Sequence, residues 1–140
     1  MIRPAANNDV KEMTEIISTS LGYPCSEELV AEKLNGVDKD REEVFVSVMG
    51  ETVKGFIHIE KYNTLYFNTL CNILGLAVAN NAKRQGIGSE LIKAAEDWAR
   101  SKGVFAMRLN SGGKRSEAHT FYRNLGYDDV KEQLRFMKKL

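Results

Sequence analysis

Between positions 83 and 89 the chain reads Lys-Arg-Gln-Gly-Ile-Gly-Ser, two cations followed by two glycines one residue apart. An apolar run, Ile-Leu-Gly-Leu-Ala-Val over 73–78, precedes it. An apolar periodicity follows it, with Ile87, Leu91, Ala94, Ala95 and Trp98 on one helical face. A strand therefore feeds a glycine-bearing turn that opens into a helix. The first turn of a helix carries unpaired N–H groups and about half a positive charge. Glycines at 86 and 88 remove side chains that would keep a ligand from the backbone. Lys83 and Arg84 add charge beside it. This chemistry suits a phosphate or pyrophosphate. The alternative is a strand-to-helix turn whose glycines serve only tight packing.

Two phosphate motifs are excluded. Gly112-Gly113-Lys114-Arg115-Ser116 lacks the leading glycine spacing of a P-loop, and position 91 is Leu where a dinucleotide fingerprint starting at 86 needs Gly. Cys25 and Cys71 have neither metal spacing nor a CxxC pattern, and read as reduced thiols.

The elements that must position the turn follow from pattern. Ile2–Ala6 suits a short strand. Asn8 or Asp9 is placed to cap a helix, with Glu12 as in a capping box, and Val10, Met13, Ile16, Ile17 and Leu21 form its apolar face up to Gly22. Ser26 caps a second helix that Gly36 stops. Val44–Met49 and Val53–Glu60 predict an antiparallel hairpin about Gly50-Glu51-Thr52. Residues 61–68 fit either a loop or further strand. Leu70–Ala79 is the strand entering the turn, and the helix from Gly88 ends at Lys102-Gly103, with Glu96 and Arg100 four apart on its outer face. Phe105–Leu109 predicts a strand, Ser116–Leu125 a helix, and Gln133–Lys139 a final strand.

The 140 residues suit one domain with its own core, residues 1–140. A net charge of +1 argues against a nucleic-acid surface. No apolar run approaches the roughly 20 residues that span a bilayer, and Met1–Asp9 lacks the apolar core of a signal peptide. A cytoplasmic location is the expectation.

The stretch Lys83-Arg84-Gln85-Gly86-Ile87-Gly88 resembles the acetyl-CoA motif of the GNAT N-acetyltransferase superfamily, Gln/Arg-x-x-Gly-x-Gly/Ala, with Lys83 departing at the leading position. Near the C-terminus, Ala118, Phe121, Tyr122, Gly126 and Tyr127 match a second GNAT pattern, Asn-x-x-Ala-x-x-Phe-Tyr-x-x-x-Gly-Phe/Tyr, with Arg115 in place of Asn. Ser111 through Tyr122 fits the bacterial variant Ser-Gly-x-x-Arg-x-x-Ala-His-x-Phe-Tyr. The two motifs cover roughly the C-terminal half.

The resemblance implies an α+β GNAT fold: a mixed, mostly antiparallel sheet with helices on both faces, a three-layer α/β/α sandwich. It implies acetyl-CoA as donor, a primary amine (small molecule or peptide) as acceptor, direct attack in a ternary complex, and no metal. It assigns the pyrophosphate to the segment Lys83, Arg84, Gln85, Gly86, Ile87, Gly88 and Ser89, chiefly through backbone amides, and pantetheine to the backbone of Leu76, Ala77 and Val78. Tyr122 matches the general acid that protonates the departing thiolate. Arg115 either reaches a coenzyme A phosphate or caps its helix, Asn110 either bonds the pantetheine amides or ends its strand, and His119 either lines the cleft or is structural. Many members carry a basic carboxylate on the strand before the turn. Positions 72–78 hold none, which leaves Glu60, His58 or water as the base. Dimers are common in the superfamily, so a homodimer is open to this chain. The rival from another class is a catalytically inactive acyl-CoA sensor or interaction module of the same fold.

Overall fold

The alternation between positions 44 and 60 produces two strands that pair antiparallel, β2 (Glu42–Met49) and β3 (Thr52–Tyr62). Their register sets Val46 opposite Phe56 and Phe45 opposite Ile57. With β1 (Ile2–Pro4), β4 (Leu70–Val78) and β5 (Met107–Leu109) they make one sheet in the order β1-β2-β3-β4-β5. Neighbours run antiparallel except β4 and β5, which run parallel. Residues 61–62 continue β3, and the open segment is 63–69.

The computed structural model describes residues 1–140 as two compact units, Met1–Leu109 and Asn110–Leu140. The first contains the sheet and α1 (Val10–Ile16), α2 (Glu27–Asn35) and α3 (Ile87–Ser101). The second contains α4 (Ser116–Asn124).

Within the first unit, successive side chains of β3 point to opposite faces. Phe56 joins Val44, Val46, Val48, Val53 and Ala77 in a cluster with Met13 and Ile16 of α1. Gly55, one residue earlier, faces α3: a Cβ built there would meet Ile87 Cγ2 at 3.1 Å and Leu91 Cδ1 at 3.2 Å. The sheet is therefore sandwiched between α1 and α3. Leu91, Ile92, Ala95 and Ala99 of α3 are buried at helical spacing, and fully burying one such Leu or Ile stabilises by about 1.5–3 kcal/mol. No helix is long and apolar enough to cross a membrane.

Local expectations are met at some positions and corrected at others. Ser26 caps α2 as its type predicts, accepting from Leu29 N–H at 3.1 Å. Asp9 does not cap α1. Its buried carboxylate accepts from Ala6 N–H at 2.8 Å and from both terminal nitrogens of Arg3, at 2.7 and 2.8 Å. Arg3 thereby holds the Asp9 carboxyl below the usual range. Glu12 instead accepts from Val53 N–H at the start of β3. The first helix stops being α-helical at Ile16, and Ile17–Leu21 form a π turn closed by Gly22 in the left-handed region, φ 76°. Arg100 bonds Asp97, at 3.1 Å. The fourth helix starts at Ser116 as expected.

Two strand expectations fall. The last strand of the sheet begins at Met107 rather than Phe105, because only Cys71–Ile73 of β4 offers it partners. Residues 133–139 form no strand. Their alternation describes a segment able to pair, but no ladder includes them, and Leu134 and Phe136 are exposed.

The close approach of α3 to the sheet depends on Gly55, whose absent Cβ would sit 2.9 Å from Ala77 O. Gly55→Ala is expected to lower stability by about 1–3 kcal/mol through overpacking. Gly75→Ala is the control, since its added Cβ meets only Phe56 Cε2 at 3.9 Å, and it should stay within about 0.5 kcal/mol of the parent. Urea denaturation of the three proteins checks both.

Candidate active site

The turn between β4 and α3 begins with a 3-10 turn, Asn80–Ala82, anchored by buried Ala82. Residues 83–86 are then exposed. Arg84 (φ 63°) and Gly86 (φ 81°) both lie in the left-handed region, and α3 starts at Ile87, one residue earlier than the pattern predicts. The first backbone bond of the helix runs from Glu90 N–H to Gly86 O, 3.0 Å. The amides of Ile87, Gly88 and Ser89 thus have no partner within the helix, and no side chain caps them. Lys83, Arg84, Gln85, Gly86, Ile87, Gly88 and Ser89 are brought together as one anion-suited segment on a fifteen-residue helix.

The π turn braces this segment. Ser20 Oγ donates to Val78 O at 2.9 Å, and Asn80 Nδ2 donates to Thr19 O at 3.3 Å. π turns inside helices recur at functional sites; here the distortion turns Thr19 and Ser20 onto the end of β4.

On its β3 side, β4 is paired along its length: Leu76 with Ile57, Ala77 with Phe56, Val78 with Gly55. On its other side the parallel ladder runs Cys71–Met107, Asn72–Arg108, Ile73–Leu109 and stops. A register shift in the β3–β4 ladder, between His58 and Ile59, falls at the same level. From Leu74 to Val78 this edge has no strand neighbour. Backbone groups alternate between the two edges of a strand: Ala77 turns its own towards β3, while Leu76 and Val78 turn theirs to the open edge, where Val78 O accepts from Ser20 and the edge leads towards the bare amides of α3. An extended ligand with amide groups can pair there as a strand would.

One residue before the ladder stops, a polar row crosses the sheet. Glu42, Glu60, Asn72 and Arg108 are successive partners on β2, β3, β4 and β5. Asn72 Nδ2 donates to Glu60 Oε2 at 3.0 Å, and Arg108 Nη1 donates to Asn72 Oδ1 at 2.7 Å. The Arg108 guanidinium also lies 4.5 Å from the centre of the Tyr62 ring. His58 Nε2 donates to Glu42 Oε1 at 2.9 Å. Of the two base candidates, His58 is thus bonded to Glu42, while Glu60 has one oxygen taken by Asn72. Burial, reinforced by the Glu60 charge, pushes the Cys71 thiol up to about 12, so it stays protonated and is no nucleophile. Asn72 and Arg108 are the residues that sequence reasoning did not single out. Their signal was a polar residue inside an apolar strand run, which acquires meaning only with the register.

In the second unit, α4 carries the other motif. Arg115 stands at its N-cap without a side-chain cap bond. Arg115 N–H donates to Gly112 O at 3.0 Å, and His119 Nε2 donates to the same carbonyl at 2.9 Å. His119 therefore ties the helix to the Gly112 loop, the structural alternative for this residue. Tyr122 is half-buried, its ring edge-on to Phe121 at 5.2 Å and to Tyr127 at 6.1 Å. Burial raises the Tyr122 phenol and the charge of Arg115 partly offsets it. The phenol thus keeps its proton beyond the ordinary range, as a proton donor requires. Asn110 directly follows β5 and is exposed.

Gly86 adopts a conformation that costs a residue with a Cβ about 1–2 kcal/mol. Gly86→Ala should lower stability by that amount, although open space surrounds the position. Gly113→Ala, with open space and no left-handed backbone, should be neutral within about 0.5 kcal/mol. Thermal unfolding of the two variants distinguishes backbone strain from crowding.

Comparison with known proteins identifies relatives of this arrangement. A family model described as the acetyltransferase (GNAT) family matches residues 10–127. The aminoalkylphosphonate N-acetyltransferase of Salmonella typhimurium is 35% identical over 92 residues, covering 65% of this chain and 58% of that protein. The aminoglycoside N(6')-acetyltransferase type 1 of Klebsiella aerogenes is 31% identical over 75 residues, covering 54% of this chain and 49% of that one. The matches thus span about half the length of these curated relatives. The solved structure of AAC(6')-Iy in complex with the bisubstrate analogue CoA-S-monomethyl-acetylneamine superposes with a TM-score of 0.85 over 100% of this chain and 98% of that one, at 14% identity. The likeness is one of fold: a five-stranded mixed sheet with four helices.

Proposed function

The chain belongs to the acetyltransferase (GNAT) family, and on that premise we propose that it is an acetyl-CoA-dependent N-acetyltransferase in which residues 1–140 work as one catalytic domain. The observation that carries this reading is the open edge of β4 from Leu74 to Val78, followed by the bare amides of Ile87–Ser89. A pantetheine arm has amides to pair with such an edge, and a pyrophosphate suits the helix start. Leu76, Ala77 and Val78 hold the arm. Lys83, Arg84, Gln85, Gly86, Ile87, Gly88 and Ser89 hold the phosphates. Asn110 and Arg115 add polar contacts to the donor. The pattern Ser111–Tyr122 supports membership of the Ser-Gly-x-x-Arg-x-x-Ala-His-x-Phe-Tyr group.

The reaction joins an amine to a thioester carbonyl carbon and breaks its C–S bond. The incoming ammonium must first lose a proton, and the departing thiolate must gain one. Glu60, beside the end of the β4–β5 ladder, takes the first proton on the oxygen that Asn72 leaves free. Tyr122 supplies the second, since burial keeps its phenol protonated. The acceptor is a small polar molecule with a primary amine, the kind that the names of the two curated relatives describe. The cytoplasm is the location that goes with this reading.

Titration calorimetry with acetyl-CoA, followed by thiol-release assays on a panel including an aminoalkylphosphonate and an aminoglycoside, tests the whole reading. Binding plus turnover is the expected result. Binding without turnover on any amine would favour the sensor instead. Tyr122→Phe should lower kcat by about 100-fold or more while acetyl-CoA affinity stays within about twofold. The parent should hold its rate as pH rises past 9, because the acid loses its proton only above the ordinary phenol range. Glu60→Gln should lower kcat and abolish the acid limb of the pH–rate profile; a profile identical to the parent's would remove Glu60 from the role.

A further inference from the structure

Glu60 does not stand alone. Its Oε2 accepts from Asn72 Nδ2 at 3.0 Å, and Asn72 Oδ1 in turn accepts from Arg108 Nη1 at 2.7 Å. A guanidinium can only donate. Arg108 therefore fixes which end of the Asn72 amide faces it, and by elimination turns the NH2 group towards Glu60. A flipped amide would set carbonyl oxygen against carboxylate oxygen. Arg108 is itself held over the Tyr62 ring, 4.5 Å from its centre. The relay crosses from β5 through β4 to β3 at one level of the sheet, and that level is one residue before β4 and β5 part.

We propose that Asn72 and Arg108 are positioning residues that orient the Glu60 carboxylate for proton transfer at the point where the β4–β5 ladder ends. This rests on the reading of Glu60 as proton acceptor. The relay occupies Oε2, holds the carboxylate plane in the direction of Asn72, and leaves Oε1 as the oxygen that meets the ammonium. The charged and titratable groups facing Glu60 are Glu42 on β2, His58 and Tyr62 on its own strand, Cys71 on β4 and Arg108 on β5. Glu42 directly opposes Glu60, and like charges so placed repel. His58 engages Glu42 at 2.9 Å and Asn72 engages Glu60, so each carboxylate has its own hydrogen-bond partner. Asn72 interposes an uncharged amide between Glu60 and the guanidinium bonded to it. The carboxylate is thus oriented through that amide.

Asn72→Leu keeps the branching at Cγ and removes the relay. It should lower kcat by about tenfold, one lost orienting hydrogen bond to a charged group, with the KM for acetyl-CoA within about twofold. Arg108→Met should lower kcat less, and Arg108→Lys should restore part of it. In a Glu60→Gln background, Asn72→Leu should cost nothing further, because there is no base left to orient. An equal tenfold loss in that background would overturn the proposal and leave Glu60 as the base. Turnover unchanged in Glu60→Gln would overturn the reading of the base itself, and the proposal with it. A measurement without turnover uses NMR of the side-chain amide signal that Asn72→Leu deletes. Its exchange with water should be slow in the parent and at least tenfold faster in Arg108→Met. Equal exchange would show that Arg108 does not hold the amide, and would overturn the relay.

Discussion

The rest of the structure depends on a ladder that ends early. A strand carries hydrogen-bonding groups on both edges, and nearly all such groups in a folded chain are paired. β4 meets this on its β3 side except at the register shift, which passes over Leu74, and on its β5 side for three residues only. On that edge its last five residues have no strand neighbour. They are held in place by other contacts: Ala77 is buried in the α1 cluster, Val78 O accepts from Ser20, and Ala79 N–H donates to Lys54 O at 2.8 Å. The open edge is short and runs into Lys83 and Arg84, and short edges flanked by cations resist pairing with other chains.

The position of the bare helix start follows from the same frame. Ile87 is at once the first residue of α3 and a buried contact of Gly55. The missing side chain at 55 lets the helix approach β3, and Ile87 and Leu91 fill the space. The amides of the first turn are thus set by packing in the core, while the loop before them, residues 83–86, is exposed. Rigid placement and open access come from adjacent residues. Helix stability supports this, since most of it derives from the buried apolar face rather than from the terminal turn.

Much of this was legible from residue order. The β2–β3 hairpin, the strand into the turn and α3 carry strong period-2 or period-3.6 patterns, and each formed with small changes at its ends. The break at Ile17–Leu21 did not show, because Ile17 and Leu21 keep the apolar rhythm of a helix while Thr19 and Ser20 bond to residues about sixty positions away. Asp9 read as a cap because its type is right for one. Arg3, six residues earlier, competed for the same carboxylate and won with two short charged bonds. Residues 133–139 alternate like a strand, but alternation marks a capacity to pair and says nothing of a partner.

The candidate site divides in the same way. The turn and helix start proposed to hold the phosphates are local in sequence, seven consecutive residues from Lys83 to Ser89. Its polar row draws one residue from each of four strands, so only the register assembles it. Taken singly, each member is a local misfit: Glu42 faces Glu60 across a strand pair, and Asn72 sits between buried Cys71 and Ile73. A core strand would be more stable with an apolar residue at 72, since an amide there must keep both its donor and its acceptor bonded. The misfits resolve one another only as a set, Glu42 with His58 and Glu60 with Asn72 and Arg108. Local choices that conflict with the fold in isolation and agree only as a network are expected where a chain gives up stability for a site. The conflict lies one residue from the place where β4 loses its neighbour. The stability lost in the polar row and the hydrogen bonds left open along β4 are therefore features of one region.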